Sequence, residues 1–326
     1  MIIVTGASGF IGSAIVSELN RRGITDILCV DSLKTDEKWK NLVNLKFNDY
    51  EEKEVLLKRV LFDDVLLKNG VEGIIHMGAC SATTEKDASF LIDNNYKYTQ
   101  LLAKWCVRNS KKFVYASSAA TYGDGSKGFD DGHNALETLK PMNMYGYSKH
   151  LFDLWALKNG MLDRIAGLKF TNVFGPNEYH KDDMRSVVHK AYGQIKETGK
   201  LKLFKSYRDG YADGEQKRDF VYVKDAVNMT LHIYESGLKG IYNCGTGKAR
   251  SWNSLAAAVF KSLGTKPAIE YIDMPEAIRD KYQYFTEAKM DKMCGSYRDK
   301  LFTLEEGIDD YVKNYLLPGQ KYLEEV

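Results

Sequence analysis

The sequence has 326 residues, of which 44% are hydrophobic and 28% are charged. This composition excludes disordered and fibrous classes, and the length suffices for about two globular domains. Because 44 Asp and Glu residues nearly balance 46 Lys and Arg residues, the chain carries no overall basic charge, and we predict no nucleic-acid partner.

Apolar, β-branched runs alternate with amphipathic stretches in the first half of the chain. The predicted strands are Ile2–Thr5, Ile27–Asp31, Gly73–Met77, Phe113–Ser117 and Ile165–Phe170. The helices predicted between them are Ile11–Arg22, Phe90–Val107 and a segment from Met144 to about Leu157. This alternation is typical of right-handed βαβ units, so we predict an α/β fold with a doubly wound parallel sheet of the Rossmann type.

The pattern changes after residue 171, where Asn172–Asn177 is rich in turn residues. A helix, a polar loop, two short strands and a further helix are predicted next, in the order Met184–Glu197, Ser206–Lys217, Asp219–Val223, Ile241–Cys244 and Ser251–Leu263. We predict a Rossmann domain made of residues 1–171 and 219–244. Residues 172–218 and 245–326 should form a smaller, mixed α/β substrate domain.

Neither the opening residues nor the cysteines indicate export or a membrane. The chain opens Met-Ile-Ile-Val-Thr-Gly, and no window approaches the roughly 18 apolar residues of a membrane span. The cysteines are odd in number, widely spaced and without a Cys-x-x-Cys pair: Cys29, Cys80, Cys106, Cys244 and Cys294. We expect a cytoplasmic protein with reduced cysteines, no metal site and no membrane partner.

A glycine-rich turn, Gly6-Ala-Ser-Gly9-Phe-Ile-Gly12, joins the first predicted strand to the first predicted helix. The first glycine permits a tight turn, the second lets backbone N–H groups approach a pyrophosphate, and the third lets helix and strand pack closely. The spacing differs from the commoner G-x-G-x-x-G, and an incidental glycine-rich turn is the alternative. The position of the turn predicts a dinucleotide site.

The adenosine end of that site is predicted at the end of the second strand. Asp31 lies about 20 residues beyond the glycine turn, where a carboxylate usually receives the ribose hydroxyls of NAD. Lys34 and Lys38 follow it, and either ammonium could neutralise the 2′-phosphate of NADP. We therefore favour NADP over NAD, with solvated loop lysines as the alternative.

A tyrosine and a lysine four residues apart, Tyr145 and Lys149, share one face of a predicted helix. The lysine cation should lower the pKa of the phenol, so that Tyr145 can take a proton from a carbinol as hydride leaves its carbon. Ser117 and Ser118 follow a buried strand, and a serine hydroxyl there could bind the reacting oxygen.

These residues belong to a set of motifs that resembles the extended short-chain dehydrogenase/reductases acting on nucleotide sugars. The motifs cover nearly the whole chain: Gly6/Gly9/Gly12, His76-Met-Gly-Ala79, Ser118-Ala-Ala-Thr-Tyr122-Gly, Tyr145-x-x-x-Lys149, Asn172-Val-Phe-Gly-Pro176, Arg218-Asp-Phe-Val-Tyr-Val-Lys-Asp225 and Asn243-Cys-Gly-Thr-Gly247. Further stretches are similar to the ADP-L-glycero-D-manno-heptose 6-epimerases: Gly23–Leu28, Gly78–Ser81, Thr83–Glu85, Asp93–Tyr96, Ala116–Gly123 and Tyr282-Gln-x-Phe-Thr286.

This resemblance implies epimerisation at C6″ of ADP-D-glycero-β-D-manno-heptose through transient hydride transfer to tightly bound NADP. It implies a role in making the lipopolysaccharide inner core, and homo-oligomers that are often pentamers. It makes Tyr145 one acid/base and Lys181 the second, with Ser118 polarising the oxygen and Lys149 anchoring the nicotinamide ribose. Two acid/bases are needed because the ketone intermediate must meet a proton donor in both of its orientations. The alternative for Lys181 is a solvated lysine beside Asp182 and Asp183.

The resemblance also implies two sets of binding residues. For the cofactor they are Gly6, Gly9, Phe10, Ile11, Gly12, Asp31, Ser32, Lys38, Lys53, Met77, Gly78, Ala79, Cys80, Ser81, Asn94, Tyr145, Lys149, Val173 and Lys181. For the substrate they are Ser118, Asn172, Asp183, Phe204, Arg218 and Tyr282. Arg218 would clamp the pyrophosphate; an ion pair with Asp219 or Asp225 is its alternative, and Tyr282 could equally be a core residue.

The sequence also departs from that family pattern. Met77 stands where an acidic residue is expected, and Asp183 replaces an expected small hydroxyl residue. His189-Lys190 lies one position away from where an aromatic-histidine pair is expected. The loop over residues 206–217 is longer than expected. Ala119-Ala120 replace the Asp-Glu pair of a 4,6-dehydratase, whereas a 4-epimerase of UDP- or GDP-sugars remains an alternative. A non-catalytic NADP-sensing protein fits this sequence less well than an enzyme does. Such proteins commonly lose the tyrosine or the lysine, whereas this chain retains both Tyr145 and Lys149.

Overall fold

A computed structural model describes residues 1–279 and 282–324. The strands are β1 Ile2–Thr5, β2 Ile27–Asp31, β3 Asp49–Glu52, β4 Gly73–His76, β5 Lys112–Ser118, β6 Ala166–Phe170, β7 Asn172–Phe174, β8 Leu201–Phe204, β9 Lys217–Tyr222, β10 Gly240–Cys244, β11 Ala249–Ser251 and β12 Ile269–Ile272. The helices are α1 Phe10–Arg21, α2 Lys53–Leu61, α3 Val65–Gly70, α4 Ala88–Leu91, α5 Tyr98–Arg108, α6 Met144–Lys158, α7 Val187–Thr198, α8 Val223–Ser236, α9 Trp252–Ser262, α10 Glu276–Arg279, α11 Asp291–Ser296 and α12 Leu304–Asp310. Two π-helical segments, Ile92–Lys97 and Tyr311–Leu316, extend α4 and α12.

Seven strands form one parallel sheet in the order β10-β6-β5-β4-β1-β2-β3. Its inner strands are largely buried, and β1 and β4 are buried throughout. Their alternate side chains enter two hydrophobic clusters, one on each face of the sheet. This arrangement confirms the predicted Rossmann-type α/β fold. The strand order reverses between β1 and β4, and such a reversal leaves a crevice at the carboxyl ends of the strands.

A smaller part of the chain contains mixed pairing. Strand β9 pairs parallel with β7 and antiparallel with β11, and β8 pairs parallel with β12. The segment 219–244 thus begins in the small sheet and ends in β10 of the large sheet, and the domain boundaries drawn from the sequence stay a prediction. Within the described residues, no helix has the length and apolar character needed to cross a membrane.

Two parts of the fold differ from what the sequence patterns predicted. Strand β3 has the sequence Asp-Tyr-Glu-Glu and lies at the sheet edge, where its side chains are partly or fully exposed. An edge strand of this kind carries no apolar run, so periodicity could not indicate it. The single helix predicted over Phe90–Val107 is instead α4, a π-helical segment and α5.

A buried ion pair joins the sheet to helix α6. Nζ of Lys169 lies 2.7 Å from Oδ2 of Asp153, and both side chains are fully buried. The Asp153 carboxylate also accepts hydrogen bonds from the hydroxyls of Tyr115 (2.9 Å) and Ser117 (2.7 Å). Since Asp153 is in the same helix as Tyr145, this network ties α6 to strands β5 and β6.

The Asp153→Asn variant is expected to lose about 3–5 kcal/mol of unfolding free energy, because it leaves the Lys169 ammonium buried without its counter-charge. Urea unfolding followed by circular dichroism measures this loss. The matched control is Lys313→Ala, which breaks the half-exposed pair of Lys313 with Asp309 and should change stability by less than about 1 kcal/mol. Equal effects of the two variants would contradict the stabilising role of the buried pair.

Candidate active site

A cleft of about 620 Å³ opens at the carboxyl ends of the large sheet, where the strand order reverses. A second cavity of about 330 Å³ adjoins it beyond Asp31. The two are lined by all the cofactor residues named above and by Ser118 and Asn172. The other four predicted substrate residues, Asp183, Phe204, Arg218 and Tyr282, lie outside this lining.

The glycine turn lines the cleft. At two of its positions the backbone approaches other backbone too closely for a side chain to fit. Gly6 has φ +66°, and a Cβ there would lie 2.7 Å from the Gly78 nitrogen. A Cβ on Gly12 would lie 1.9 Å from the Gly6 carbonyl oxygen. Helix α1 begins with Gly9 as its N-cap, without a side-chain cap or an acidic residue in its first turn. Its N-terminal N–H groups and positive dipole end are therefore available to an anion.

Asp31 stands between the two cavities and is already hydrogen-bonded. Its Oδ2 accepts from the backbone N–H (3.0 Å) and hydroxyl of Ser8, and its Oδ1 accepts from the Ser32 N–H (2.7 Å). Nζ of Lys38 lies 2.8 Å from the same Oδ1. Burial raises the pKa of Asp31, but the Lys38 charge and these hydrogen bonds outweigh it and lower the pKa overall. The carboxylate is therefore ionised and partly neutralised.

Helix α6 brings Tyr145 next to Ser118. The Asn143 side chain caps the helix by accepting from the Gly146 N–H (2.8 Å), which places Tyr145 in the first turn. A Cβ on Gly146 would lie 2.8 Å from the Ala120 carbonyl oxygen, so the glycine allows α6 to approach the end of β5. Ser118 is the last residue of that strand, and its hydroxyl accepts from the Ala120 N–H (3.1 Å).

The protonation states here differ from the sequence prediction. Burial raises the pKa of Tyr145, and hydrogen bonding with Ser118 offsets the rise only in part. The prediction that Lys149 lowers this pKa was therefore wrong. The Lys149 ammonium instead donates to the Ala116 carbonyl (2.8 Å), and burial lowers its own pKa to about 8. A helical i,i+4 spacing places two side chains on one face, but it does not determine which neighbour the ammonium selects.

Lys181 reaches the cleft from a turn of the smaller region, Tyr179–Met184. Its Nζ lies 5.5 Å from the centre of the Phe10 ring, at the start of α1. Burial lowers the pKa of Lys181, and the Glu178 carboxylate opposes this shift. The neighbouring Asp182 is paired with Arg185 at 3.2 Å. Lys181 and Tyr145 thus line one cleft from two different elements.

The remaining predicted substrate residues fall into two groups. Asp183 is exposed and does not line the cleft. Arg218 is buried between the rings of Trp252 (5.6 Å) and Tyr282 (5.2 Å), and Phe204 packs edge-on to Tyr282. Neither Asp219 nor Asp225 forms an ion pair with Arg218 in the described part of the chain; its guanidinium donates to the Lys217 carbonyl.

Trp252 connects this group to the cleft, which it lines directly. Its indole N–H donates to the Tyr282 hydroxyl at 2.9 Å. Trp252 was not predicted from the sequence as a site residue, and neither were His180 and Arg185, which also line the cleft. No motif could have indicated Trp252, because it begins a helix about 70 residues after Lys181 in the chain and reaches the site only through the small sheet.

The sequence profile described as the "NAD dependent epimerase/dehydratase family" matches residues 2–245. The chain belongs to this family. Members of the family use a nicotinamide cofactor, as the description states.

The chain is also similar to individual proteins over their full length. The chain is 54% identical to the ADP-L-glycero-D-manno-heptose-6-epimerase of Nitratidesulfovibrio vulgaris strain DP4, over 99% of this chain and 100% of the relative. It is 48% identical to the enzyme of the same name from Fusobacterium nucleatum, with the same coverage. The crystal structure of the Helicobacter pylori ADP-L-glycero-D-manno-heptose-6-epimerase superposes with a TM-score of 0.80 at 26% identity, covering 96% of this chain and 95% of that one.

The residues that line the cleft fit the nicotinamide dinucleotide cofactor that this family uses. Gly6 and Gly12 let the turn pack closely on neighbouring backbone, the uncapped α1 N-terminus suits a pyrophosphate, and Asp31 lines the cleft at the end of β2, the position that usually holds the ribose. Lys149 and Tyr145 line the same cleft. Among the departures from the pattern, Met77 lines the cleft, whereas His189 is buried against the Tyr179 ring (5.9 Å).

Proposed function

We propose that the protein epimerises ADP-D-glycero-β-D-manno-heptose at C6″ to the L-glycero isomer, with no net redox change. The observation that carries this proposal is the identity of 44–54% with curated 6-epimerases over nearly the full chain. The cleft supports it, because Tyr145 and Lys181 offer two proton-transfer groups from separate walls. The product would serve the lipopolysaccharide inner core.

The bound nicotinamide would supply the hydride acceptor and donor for this reaction. Tyr145 exchanges a proton with the C6″ oxygen in one orientation of the sugar, and its raised pKa keeps the phenol in the proton-donating form. The Ser118 hydroxyl donates a hydrogen bond to the same oxygen. Lys181 exchanges the proton in the other orientation, and its lowered pKa makes that exchange easier near neutrality.

The charge of the second cavity favours NADP over NAD. Lys34, Lys38 and Lys53 all line it. Asp31 would repel a 2′-phosphate, but its carboxylate is neutralised in part by Lys38 at 2.8 Å. Lys34 and Lys53 are not paired with Asp31 and remain to bind the phosphate. Lys34 is exposed, and Nζ of Lys53 donates to the side-chain Oδ1 of Asn94 (2.6 Å) and lies 3.8 Å from Glu54.

The aromatic group around Arg218 is proposed to recognise the ADP moiety. A guanidinium buried between two rings is fixed in place, and its planar donors match a diphosphate. Trp252 offers a ring face at the cleft wall, where a nucleobase could stack. The cytoplasmic location and the homo-oligomeric, pentameric assembly inferred from the resemblance belong to this proposal as well.

The deciding experiment incubates the purified protein with ADP-D-glycero-β-D-manno-heptose without added cofactor and resolves the two C6″ epimers by proton NMR. We expect an equilibrium mixture, because hydride leaves and returns within each turnover and the cofactor copurifies. Acid-denatured protein should release NADP, identified by mass spectrometry. Release of NAD alone would contradict the lysine argument but not the epimerase.

Two control substrates separate the alternatives. UDP-glucose and a GDP-hexose should remain unchanged under the same conditions. No conversion of the ADP-heptose, even after addition of NADP and NAD, would contradict the proposed function. Conversion of a control substrate instead would support a 4-epimerase, and bound cofactor without any turnover would support a sensing protein.

A further inference from the structure

Residues 320–324, here called the strap, contact the turn that carries Lys181. They belong to no helix or strand. The Leu323 N–H donates to Oδ1 of Asn177 (2.9 Å), and the Tyr179 hydroxyl donates to the Lys321 carbonyl (2.7 Å). The rings of Tyr179 and Tyr322 meet edge-on at 5.2 Å. Three successive strap residues therefore contact Asn177 and Tyr179, which precede Lys181 by four and two positions.

Asn177 is the point where the strap meets the cofactor region. It is fully buried and has φ +75°, which is uncommon for a residue other than glycine. Besides accepting from Leu323, its side chain donates to the Ser13 hydroxyl of α1 (3.0 Å), and its carbonyl accepts from Asn41 (3.1 Å). The strap also contacts α1 directly, through the Ser17 hydroxyl and the Glu324 carbonyl (3.0 Å).

The turn depends on such contacts for its shape. Tyr179–Met184 is a six-residue 3₁₀ segment, and Asp182 interrupts it with φ +43° and ψ −120°. Short 3₁₀ segments have poor internal hydrogen-bond geometry. A strained backbone persists only where the surrounding structure over-determines it. Lys181 lies between two such positions, Asn177 and Asp182, so its direction into the cleft is set by what the turn packs against.

We propose that the strap is a positioning element for the second acid/base: Lys321, Tyr322 and Leu323 hold the turn so that Lys181 points into the cleft. This inference rests on the proposed function, in which Lys181 exchanges the proton at C6″. The strap does not touch substrate in this proposal; it acts only through Asn177 and Tyr179.

The main test shortens the chain to end at Gln320. We expect kcat for ADP-heptose epimerisation to fall by about 10–100-fold, the size expected for misplacing a reacting group by about 1 Å. Cofactor content should not change. In the Lys181→Met background the same shortening should lower kcat by less than about twofold, because the group it positions is already absent. An equal loss in both backgrounds would mean general destabilisation and would overturn the proposal.

A milder variant covers the case in which the shortened chain fails to fold. Tyr179→Phe removes only the hydroxyl that donates to Lys321, and should lower kcat by about 2–10-fold with KM nearly unchanged. The matched control is Tyr192→Phe, whose hydroxyl donates to the Leu316 carbonyl (3.1 Å) outside the strap. An unchanged kcat in Tyr179→Phe, or an equal loss in both variants, would contradict the positioning role.

Hydrogen exchange gives a readout that needs no substrate. Amides of residues 177–186 should exchange faster when the strap is removed or when Tyr179 becomes Phe, while amides of α6 remain protected. If the wild-type protein does not epimerise ADP-heptose, the proposed function has failed, and the exchange data alone decide about the strap. Unchanged exchange in the turn would overturn the coupling whatever the activity.

Discussion

The Tyr145→Phe variant is expected to lose about 10²–10⁴-fold in kcat while it retains its cofactor, because it removes one proton-transfer group and leaves the rest of the lining intact. The Ser118 hydroxyl is left in place, so its hydrogen bond to the reacting oxygen is not removed by the change. Progress curves by proton NMR measure the rate, and absorbance of the released cofactor measures occupancy.

The control for this variant is Tyr147→Phe. Tyr147 is in the same helix but 45% exposed, so its change should affect kcat by less than about twofold, as expected for a surface substitution. Loss of cofactor together with activity in Tyr145→Phe would show that the phenol holds the cofactor rather than moving a proton. A wild-type rate would contradict its role altogether.

Lys181→Met is the second large expected effect, again about 10²–10⁴-fold in kcat with the cofactor retained. Methionine is an unbranched side chain of similar length without the ammonium, so the change removes the charge that lies 5.5 Å from the Phe10 ring centre and keeps an apolar stem. The lowered pKa of Lys181, caused mainly by burial, indicates a group whose proton is exchanged more easily than that of a surface lysine.

Lys196→Met provides the comparison, because Lys196 is an exposed residue of helix α7. Its kcat should match that of the wild type. A wild-type rate in Lys181→Met would contradict the two-base assignment and would leave Tyr145 to serve both orientations of the sugar. Large losses of kcat in both the Tyr145 and the Lys181 variant are the result that two separate acid/bases require.

Several parts of the fold could be predicted from the sequence because they depend on local patterns. Alternating apolar strands and amphipathic helices predict a parallel sheet, and the observed bounds of α6, Met144–Lys158, differ by one residue from those expected. The glycine turn was equally predictable, since close backbone approach at Gly6 and Gly12 allows no side chain. Edge strand β3, with no apolar run, was not.

The site was predictable to a lesser extent. Tyr145, Lys149 and Ser118 follow from a short motif and a strand end, and they line the cleft as expected. Lys181 has no local signal of its own and was reached only through resemblance. Its place depends on the turn, on α1 and on residues 321–323, which are far apart in the chain. No local spacing of residues predicts contacts of this kind.

The sequence by itself determined the parallel sheet, the glycine turn and the placement of Tyr145 and Lys149 on one helix face, because each of these follows from local periodicity or from a short spacing. Only the tertiary structure decided what surrounds these side chains and in which direction their pKa values shift. The pKa of Tyr145 is raised because burial outweighs Ser118, and Lys149 binds the Ala116 carbonyl. Desolvation and partner choice depend on every chain segment that packs around a side chain, and that packing exists only once the chain has folded.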